Sequence, residues 1–210
     1  MEQLIFKEEL FLSGRSVNNQ GINLAGPTII LHGNDELKRT HLPRIAKAEV
    51  RWCQGFSEPG AGSDLALLQT RAVRSGDDFV VNGQKVWTSS AHVADWILLL
   101  TRTDPEAPKH RGISMFAVDM SPGIEVRPLV QLTGEAGFNE VYFEDVLVPA
   151  ENLIGELNRG WYAATSTLDF ERSGIERNLV AWSDWDRIFA GVHAKGSATD
   201  DLRMELADLR

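Results

Sequence analysis

The chain has 210 residues, 43% hydrophobic and 24% charged, which is enough length and apolar content for one large folded domain or two small ones. Its 21 Lys+Arg stand against 30 Asp+Glu, a formal net charge of −9, and no Lys/Arg cluster offsets the balance. Nucleic acid and anionic membrane surfaces are therefore poor partners, whereas an anionic small molecule is not excluded, because backbone N–H groups hold phosphate without a cationic side chain.

Met1 to Leu12 mixes charged with apolar residues and lacks a basic start followed by an apolar run, so no signal peptide is expected. Leu4, Ile5, Glu8 and Leu12 fall on helical spacing, and Asn34 is placed to cap a helix over 35–47. Pro43 predicts a kink or break inside that helix. Cys53, the single cysteine, cannot form an internal disulfide, which fits a reducing cytosol and a cytoplasmic location. A small core or near-cofactor residue suits it better than a reactive thiol.

From about Trp52 to Leu153 the hydrophobic period becomes two. Thr70–Arg74 and Phe79–Val81 flank the turn cluster Ser75-Gly76-Asp77-Asp78. Asn82-Gly83 then separates Phe79–Val81 from Gln84–Trp87 and predicts a type I′ hairpin. Further strands are expected over 95–101, 112–119, 124–129 and 140–143, with Pro122-Gly123 as another turn. The run Trp96–Leu100 is far too short to cross a bilayer. Short strands at this spacing predict a small antiparallel barrel or sandwich. From Arg159 the helical period returns through Trp161, Thr165, Leu168 and Ile175, and another helix is expected near Thr199 or Asp200, including Leu202, Leu206 and Leu209. The expected architecture is α+β: a partial helical domain over 1–50, a barrel-like middle domain over 51–155, and the start of a second helical domain over 156–210. Neither helical end can bury an apolar face alone, so the chain reads as a fragment.

The sharpest chemical feature is Gly55-Phe56-Ser57-Glu58-Pro59-Gly60-Ala61-Gly62-Ser63-Asp64. Glycines at this density let several N–H groups converge on one anion, and Ser57 and Ser63 add hydroxyls. The spacing matches neither the dinucleotide fingerprint nor a P-loop, and on the glycines alone a structural turn is the favoured reading. The five histidines show no metal-ligand spacing, so no metal is expected. The serines lack a nucleophile elbow, which argues against a hydrolase.

Gln54–Asp64, followed by Asn82-Gly83-Gln84-Lys85-Val86-Trp87-Thr88-Ser89 and then by Phe143–Gly155, resembles the acyl-CoA dehydrogenase family over roughly residues 25–180. The resemblance implies an FAD-dependent α,β-dehydrogenation of an acyl-CoA thioester to its trans-2-enoyl product. It implies that Phe56 and Ser57 border the isoalloxazine, Gly62 and Ser63 meet the pyrophosphate, Trp87 stacks on the flavin, and Ser89 approaches the hydride-accepting nitrogen. Core packing is the competing reading of Trp87. Many relatives have an aromatic residue where this chain has Gln54. In Leu168-Asp169-Phe170-Glu171-Arg172, the resemblance makes Glu171 the candidate base, with Asp169, Arg172 and Ser63 contacting substrate. In other branches the base lies further along the C-terminal domain, and Glu171–Arg172 then reads as a solvated ion pair. An electron-transfer flavoprotein as acceptor and a homo- or hetero-oligomer, a tetramer in the family, are implied as partners. The alternative is a non-catalytic flavin- or acyl-CoA-binding fragment, or a structural subunit of a mixed oligomer.

Overall fold

A computed structural model describes residues 2–13, 19–120, 123–172, 176–194 and 199. They belong to two compact units, Met1–Val17 with Ser173–Arg210, and Asn18–Arg172. In the first, helix α1 (Glu2–Leu12) packs against a helix over Glu176–Ala194. There Leu179 is buried and Trp185 stacks on Phe189 at 6.2 Å between ring centroids. Ile175 and, apart from Thr199, the helix expected to start near Thr199 or Asp200 and to include Leu202, Leu206 and Leu209 fall outside the described residues.

The second unit opens with α2 (Gly26–His32), entered through a wide π turn over Gly21–Ala25, and α3 (Asp35–Ala46). Asn34 caps α3 as the sequence indicates, its side chain accepting the Leu37 N–H at 2.8 Å. The helix runs through Pro43 rather than breaking there. After it come β1 (Trp52–Gly55), β2 (Arg71–Ser75), β3 (Asp78–Ser89), β4 (Trp96–Arg102), β5 (Ile113–Asp119), β6 (Ile124–Leu129), β7 (Phe138–Pro149) and β8 (Leu153–Ile154), and finally α4 (Gly160–Arg172).

All eight strands form one sheet in the order β6-β7-β3-β2-β4-β5-β8, with β1 beside β4. The α+β class is the expected one, but the sheet is mixed rather than wholly antiparallel. β1 runs parallel to β4 from Trp52↔Trp96 to Gly55↔Leu99, and β2 meets β4 in parallel at Arg71↔Arg102. The two strands thus share one edge of β4. Period-two patterning cannot distinguish these orientations.

The central strand explains the apolar run that spans it. Leu98 and Leu100 face a core shared with Ile29, Leu37 and Ala164 of the helices, while Ile97 and Leu99 face a second core with Phe79, Phe116 and Phe143. A strand buried on both faces has no polar side to display, hence Ile-Leu-Leu-Leu without alternation.

Asn82-Gly83 is not a hairpin tip. The β2–β3 hairpin turns at Gly76-Asp77, where Ser75 pairs Asp78 and Gly76 has φ +63, and β3 continues through Asn82 and Gly83 with a register shift against β7. Asp145, at φ +48, and Asn82 exchange hydrogen bonds of 3.0 Å in both directions across this bulge. A Cβ on Gly83 would come within 2.6 Å of the Thr70 Cα, so glycine is required here by backbone approach. Gly123 has φ +76, in keeping with a turn, while Pro122 lies outside the described residues. Among the described residues no helix is long and apolar enough to cross a membrane.

α4 starts hard against β5. A Cβ on Gly160 would lie 2.5 Å from both the Met115 N and the Ser114 carbonyl carbon, atoms that cannot rotate away. Thr167 on the same helix meets Thr28 of α2 through their hydroxyls at 2.8 Å. Gly160→Ala is therefore expected to destabilise the fold by about 1–3 kcal/mol, the usual cost of overpacking, seen as a lower urea midpoint at unchanged slope. A midpoint equal to the wild type would mean that α4 can move off the sheet without cost.

Candidate functional site

The glycine-rich segment leaves the sheet at the end of β1 and reverses at once. Glu58 and Ala61 exchange backbone hydrogen bonds, Glu58 N–H to Ala61 O at 2.9 Å and Ala61 N–H to Glu58 O at 3.0 Å, closing a tight turn over Pro59-Gly60. Ala61 is buried beneath it, whereas Gly62, Ser63 and Asp64 are exposed. A Cβ added at Gly60 or Gly62 would meet nothing within 4 Å, so the outer side of the loop is open. Lys109 pairs with Asp64 at the far end, and the Arg102 guanidinium donates to the Ala66 and Leu68 carbonyls just beyond.

Beneath the turn lies a buried charge pair. The Lys85 ammonium, fully buried, sits 2.8 Å from the Glu58 carboxylate and also donates to the Phe56 carbonyl at 3.0 Å. The same carboxylate accepts the backbone N–H groups of Gln69 at 2.6 Å and Thr70 at 2.8 Å. Burial pulls the Lys85 ammonium down to about 8, partly countered by the adjacent carboxylate. Burial alone would raise the Glu58 carboxyl, but the charge of Lys85 and the hydrogen bonds from Lys85, Thr70 and Gln69 outweigh it and hold the group below its ordinary value.

Trp87 sits two residues beyond Lys85, at a second irregularity of β3. Lys85 pairs Val141 and Thr88 pairs Asn139, leaving Val86 and Trp87 opposite a single residue of β7. The Val86 N–H turns away from the β7 ladder and donates instead to the Ser57 carbonyl at 2.9 Å. Trp87 is left in the left-handed region at φ +59, a conformation that costs a bulky residue about 1–3 kcal/mol. The residue is 62% exposed, so it lies outside both cores, and its ring meets Phe138 edge-on at 6.1 Å between centroids. Ser89 is half-buried and pairs with Phe138.

Ser57 and Trp87 are thus brought together through Val86, with Ser89 nearby on the same strand and Gly62 and Ser63 exposed beyond the turn. Phe56 is not displayed with them: its ring is 4% exposed in the helix-side core and its carbonyl is taken by Lys85. Asp169, Glu171 and Arg172 lie on the last turn of α4, all exposed, and among the described residues no ion pair joins Glu171 to Arg172. No group of three or more His, Cys, Asp or Glu is placed to hold a metal ion among the described residues. Cys53 is buried in the sheet core, and burial pushes its thiol far above the usual range.

Sequence reasoning missed Glu58 and Lys85. The available signal was the alternation of β3 itself: Phe79, Val81 and Lys85 are buried on the same phase, so a lysine stands at an inward position and needs a buried counter-charge.

This architecture is matched by known proteins. The family model described as "Acyl-CoA dehydrogenase, middle domain" matches residues 53–146. The acyl-CoA dehydrogenase IpdE1 of Mycobacterium tuberculosis is 48% identical over 192 residues, covering 90% of this chain and 50% of the relative. The solved "Tcur3481-Tcur3483 steroid ACAD G363A variant" superposes with a TM-score of 0.93 at 37% identity, over 99% of this chain and 55% of that one. A chain of the ChsE4-ChsE5 complex from Mycobacterium tuberculosis superposes at 0.73 with 46% identity, over 82% and 45% respectively. A helix-flanked mixed sheet with an open glycine-serine loop on one side is the middle portion of an oxidoreductase of this kind. The chain belongs to the acyl-CoA dehydrogenase family, and it spans about half the length of these relatives.

Replacing Glu58 with Gln strands the Lys85 ammonium in the interior without its counter-charge. A loss of about 3–5 kcal/mol is expected, measured by urea unfolding at neutral pH. The pH dependence separates the partners. The Glu58 carboxyl titrates lower in the folded than in the unfolded chain, so its contribution is full above the ordinary value of 4.5 and fades as pH falls through the folded value. Lys85 gives a slope of the same sign in a different window: between about 8 and its ordinary 10.5 the unfolded chain holds a proton that the folded chain sheds, so stability rises with pH there too. Glu58→Gln should flatten the acid limb of the stability curve; an unchanged acid limb would assign it to other carboxylates.

Proposed function

We propose that this chain is the flavin-binding portion of an FAD-dependent acyl-CoA dehydrogenase that converts an acyl-CoA thioester to the trans-2-enoyl-CoA. The observation that carries the reading is Trp87, held exposed at positive φ and tied through Val86 to the glycine-serine loop. An exposed indole on a strained backbone is a poor choice for stability and a good one for a flat ligand.

The residues present suit FAD. The open outer side of Gly60 and Gly62 leaves room for a pyrophosphate, with Ser63 beside it, and the Ser57, Ser63 and Ser89 hydroxyls make no side-chain hydrogen bond among the described residues. Members of this family bind FAD, which when bound supplies the acceptor for the β-hydrogen leaving as hydride. In this reading Trp87 stacks on the ring system, Ser57 meets its pyrimidine edge, Ser89 lies near the accepting nitrogen, and Gly62 and Ser63 hold the pyrophosphate. Phe56 contributes through its backbone, since its ring is buried.

Glu171 removes the proton from the thioester Cα, while Asp169 and Arg172 contact the CoA portion and Ser63 is also within the substrate's reach. A carboxylate at its ordinary basicity is a weak base for such a proton, and exclusion of water would strengthen it. Glu171 is exposed in this chain, so its surroundings must come from further helices or from a second subunit. The Tcur3481-Tcur3483 and ChsE4-ChsE5 structures are two-component assemblies, which supports a mixed oligomer with a related chain. The steroid label on the former favours a bulky, branched acyl group. An electron-transfer flavoprotein would reoxidise the enzyme.

The half-length span and the exposed Glu171 favour one second reading, a flavin- or acyl-CoA-binding subunit whose partner supplies the base. Glu171→Gln in the assembled, FAD-loaded enzyme decides between them. If Glu171 is the base, bleaching of the flavin by acyl-CoA slows by about a hundredfold or more with little change in substrate affinity. Bleaching at the wild-type rate gives the base to another residue, and protein that takes up no FAD ends both flavin readings.

A further inference from the structure

Three consecutive loop residues are held by two consecutive strand residues. The Phe56 carbonyl and the Glu58 carboxylate are both bound by the Lys85 ammonium, and the Ser57 carbonyl is bound by the Val86 N–H between them. The next residue is Trp87, in its left-handed conformation. The far side of the same carboxylate takes the N–H groups of Gln69 and Thr70, where the chain returns to the sheet as β2. One buried carboxylate therefore ties both ends of the glycine-serine loop to the strand that displays the indole.

From this we infer that Glu58 and Lys85 are positioning residues for the flavin site, a charged clamp that fixes the loop and Trp87 relative to each other without touching the cofactor. The inference rests on the FAD-binding reading above. Its physical basis is that strained backbone persists only where its surroundings over-determine it. Trp87 gains no core packing of its own, so the bonds at residues 85 and 86 hold it in place. A buried ion pair is also an inefficient source of stability, since an apolar or neutral pair of similar size often serves as well. What the pair supplies is direction: an ammonium reaching both a carboxylate and a carbonyl fixes the two groups at once, whereas neutral side chains would let the loop settle in several arrangements. One neighbouring charge bears on the pair, Arg102, which is drawn toward Glu58 and opposes the charge on Lys85. It reaches the loop separately, through the Ala66 and Leu68 carbonyls.

The test removes the charges while retaining one acceptor oxygen for the Gln69 and Thr70 N–H groups, which the carboxylate serves with separate oxygens. In Glu58→Gln/Lys85→Met the unfolding midpoint should recover most of what Glu58→Gln alone loses, yet FAD should bind at least tenfold more weakly than to the wild type. The fluorescence of the flavin that does bind should be less quenched, because Trp87 no longer holds its stacking position. A role in stability alone predicts the opposite: affinity and quenching would return together with the midpoint, and that result overturns the inference. Should the double variant fail to fold, Glu58→Asp gives the same decision. It retains the charge with a shorter reach, and is expected to weaken FAD binding severalfold with the same loss of quenching; wild-type affinity and quenching in that variant overturn the inference. Wild-type chain that binds no FAD at all, in isolation or with a partner subunit, is a different result and overturns the functional reading itself.

Discussion

A single carboxylate beneath a glycine-rich turn determines how the rest of the site is arranged. Glu58 accepts from the backbone on one side and from Lys85 on the other, and Lys85 cannot remain buried without it. Every displayed group discussed above, from Ser57 to Ser89, is within a few residues of one partner or the other. The outer part of the loop has little packing of its own: Gly62, Ser63 and Asp64 are exposed, while Phe56 and Ala61 anchor its inner side in the helix-side core. Its shape is thus an electrostatic and hydrogen-bonded matter, set from below, and its outer face is left free for a ligand.

The sheet makes such a buried pair tolerable. β4, buried on both faces, divides the interior into a helix-side core and a second core enclosed by the curled sheet. Because β1 and β2 share one edge of β4, the loop between them must cross over that edge, which is where the pair lies. Helix α4 is pressed onto the other side through Gly160 and the Thr28–Thr167 contact, so the segment bearing Glu171 is referred to the same frame.

Much of this was legible in the residues. The Asn34 cap, the Gly76-Asp77 turn, most of the strands and the onset of α4 are signalled by local chemistry, and local chemistry decided them. The glycine-serine loop, Trp87 and the family resemblance were legible for the same reason, since each is a contiguous string. What was not legible depends on partners distant in sequence. Asn82-Gly83 has hairpin composition, but β7 pairs with both halves of β3 and converts the expected turn into a bulge latched by Asp145. β1 lies parallel to β4 because of a crossover that period-two alternation cannot encode. The burial of the Phe56 ring in the helix-side core depends on partners that its own string does not name. Lys85 reads as a solvated residue until Glu58, 27 positions earlier, is known to lie beneath it.

The bulge at Val86 and Trp87 also has a consequence for the order in which the molecule assembles. β3 can join β2 through their short hairpin soon after synthesis, but its irregular half is defined only against β7, whose Asn139 meets Thr88 from 51 residues further along. Contacts of that separation carry a closure cost in chain entropy and form late. A nascent chain released before Phe138 would hold the glycine-serine string and the tryptophan but lack the register that bends them toward each other. The glycine-serine string and Trp87 therefore reach their final arrangement only near the end of folding, once β7 is paired.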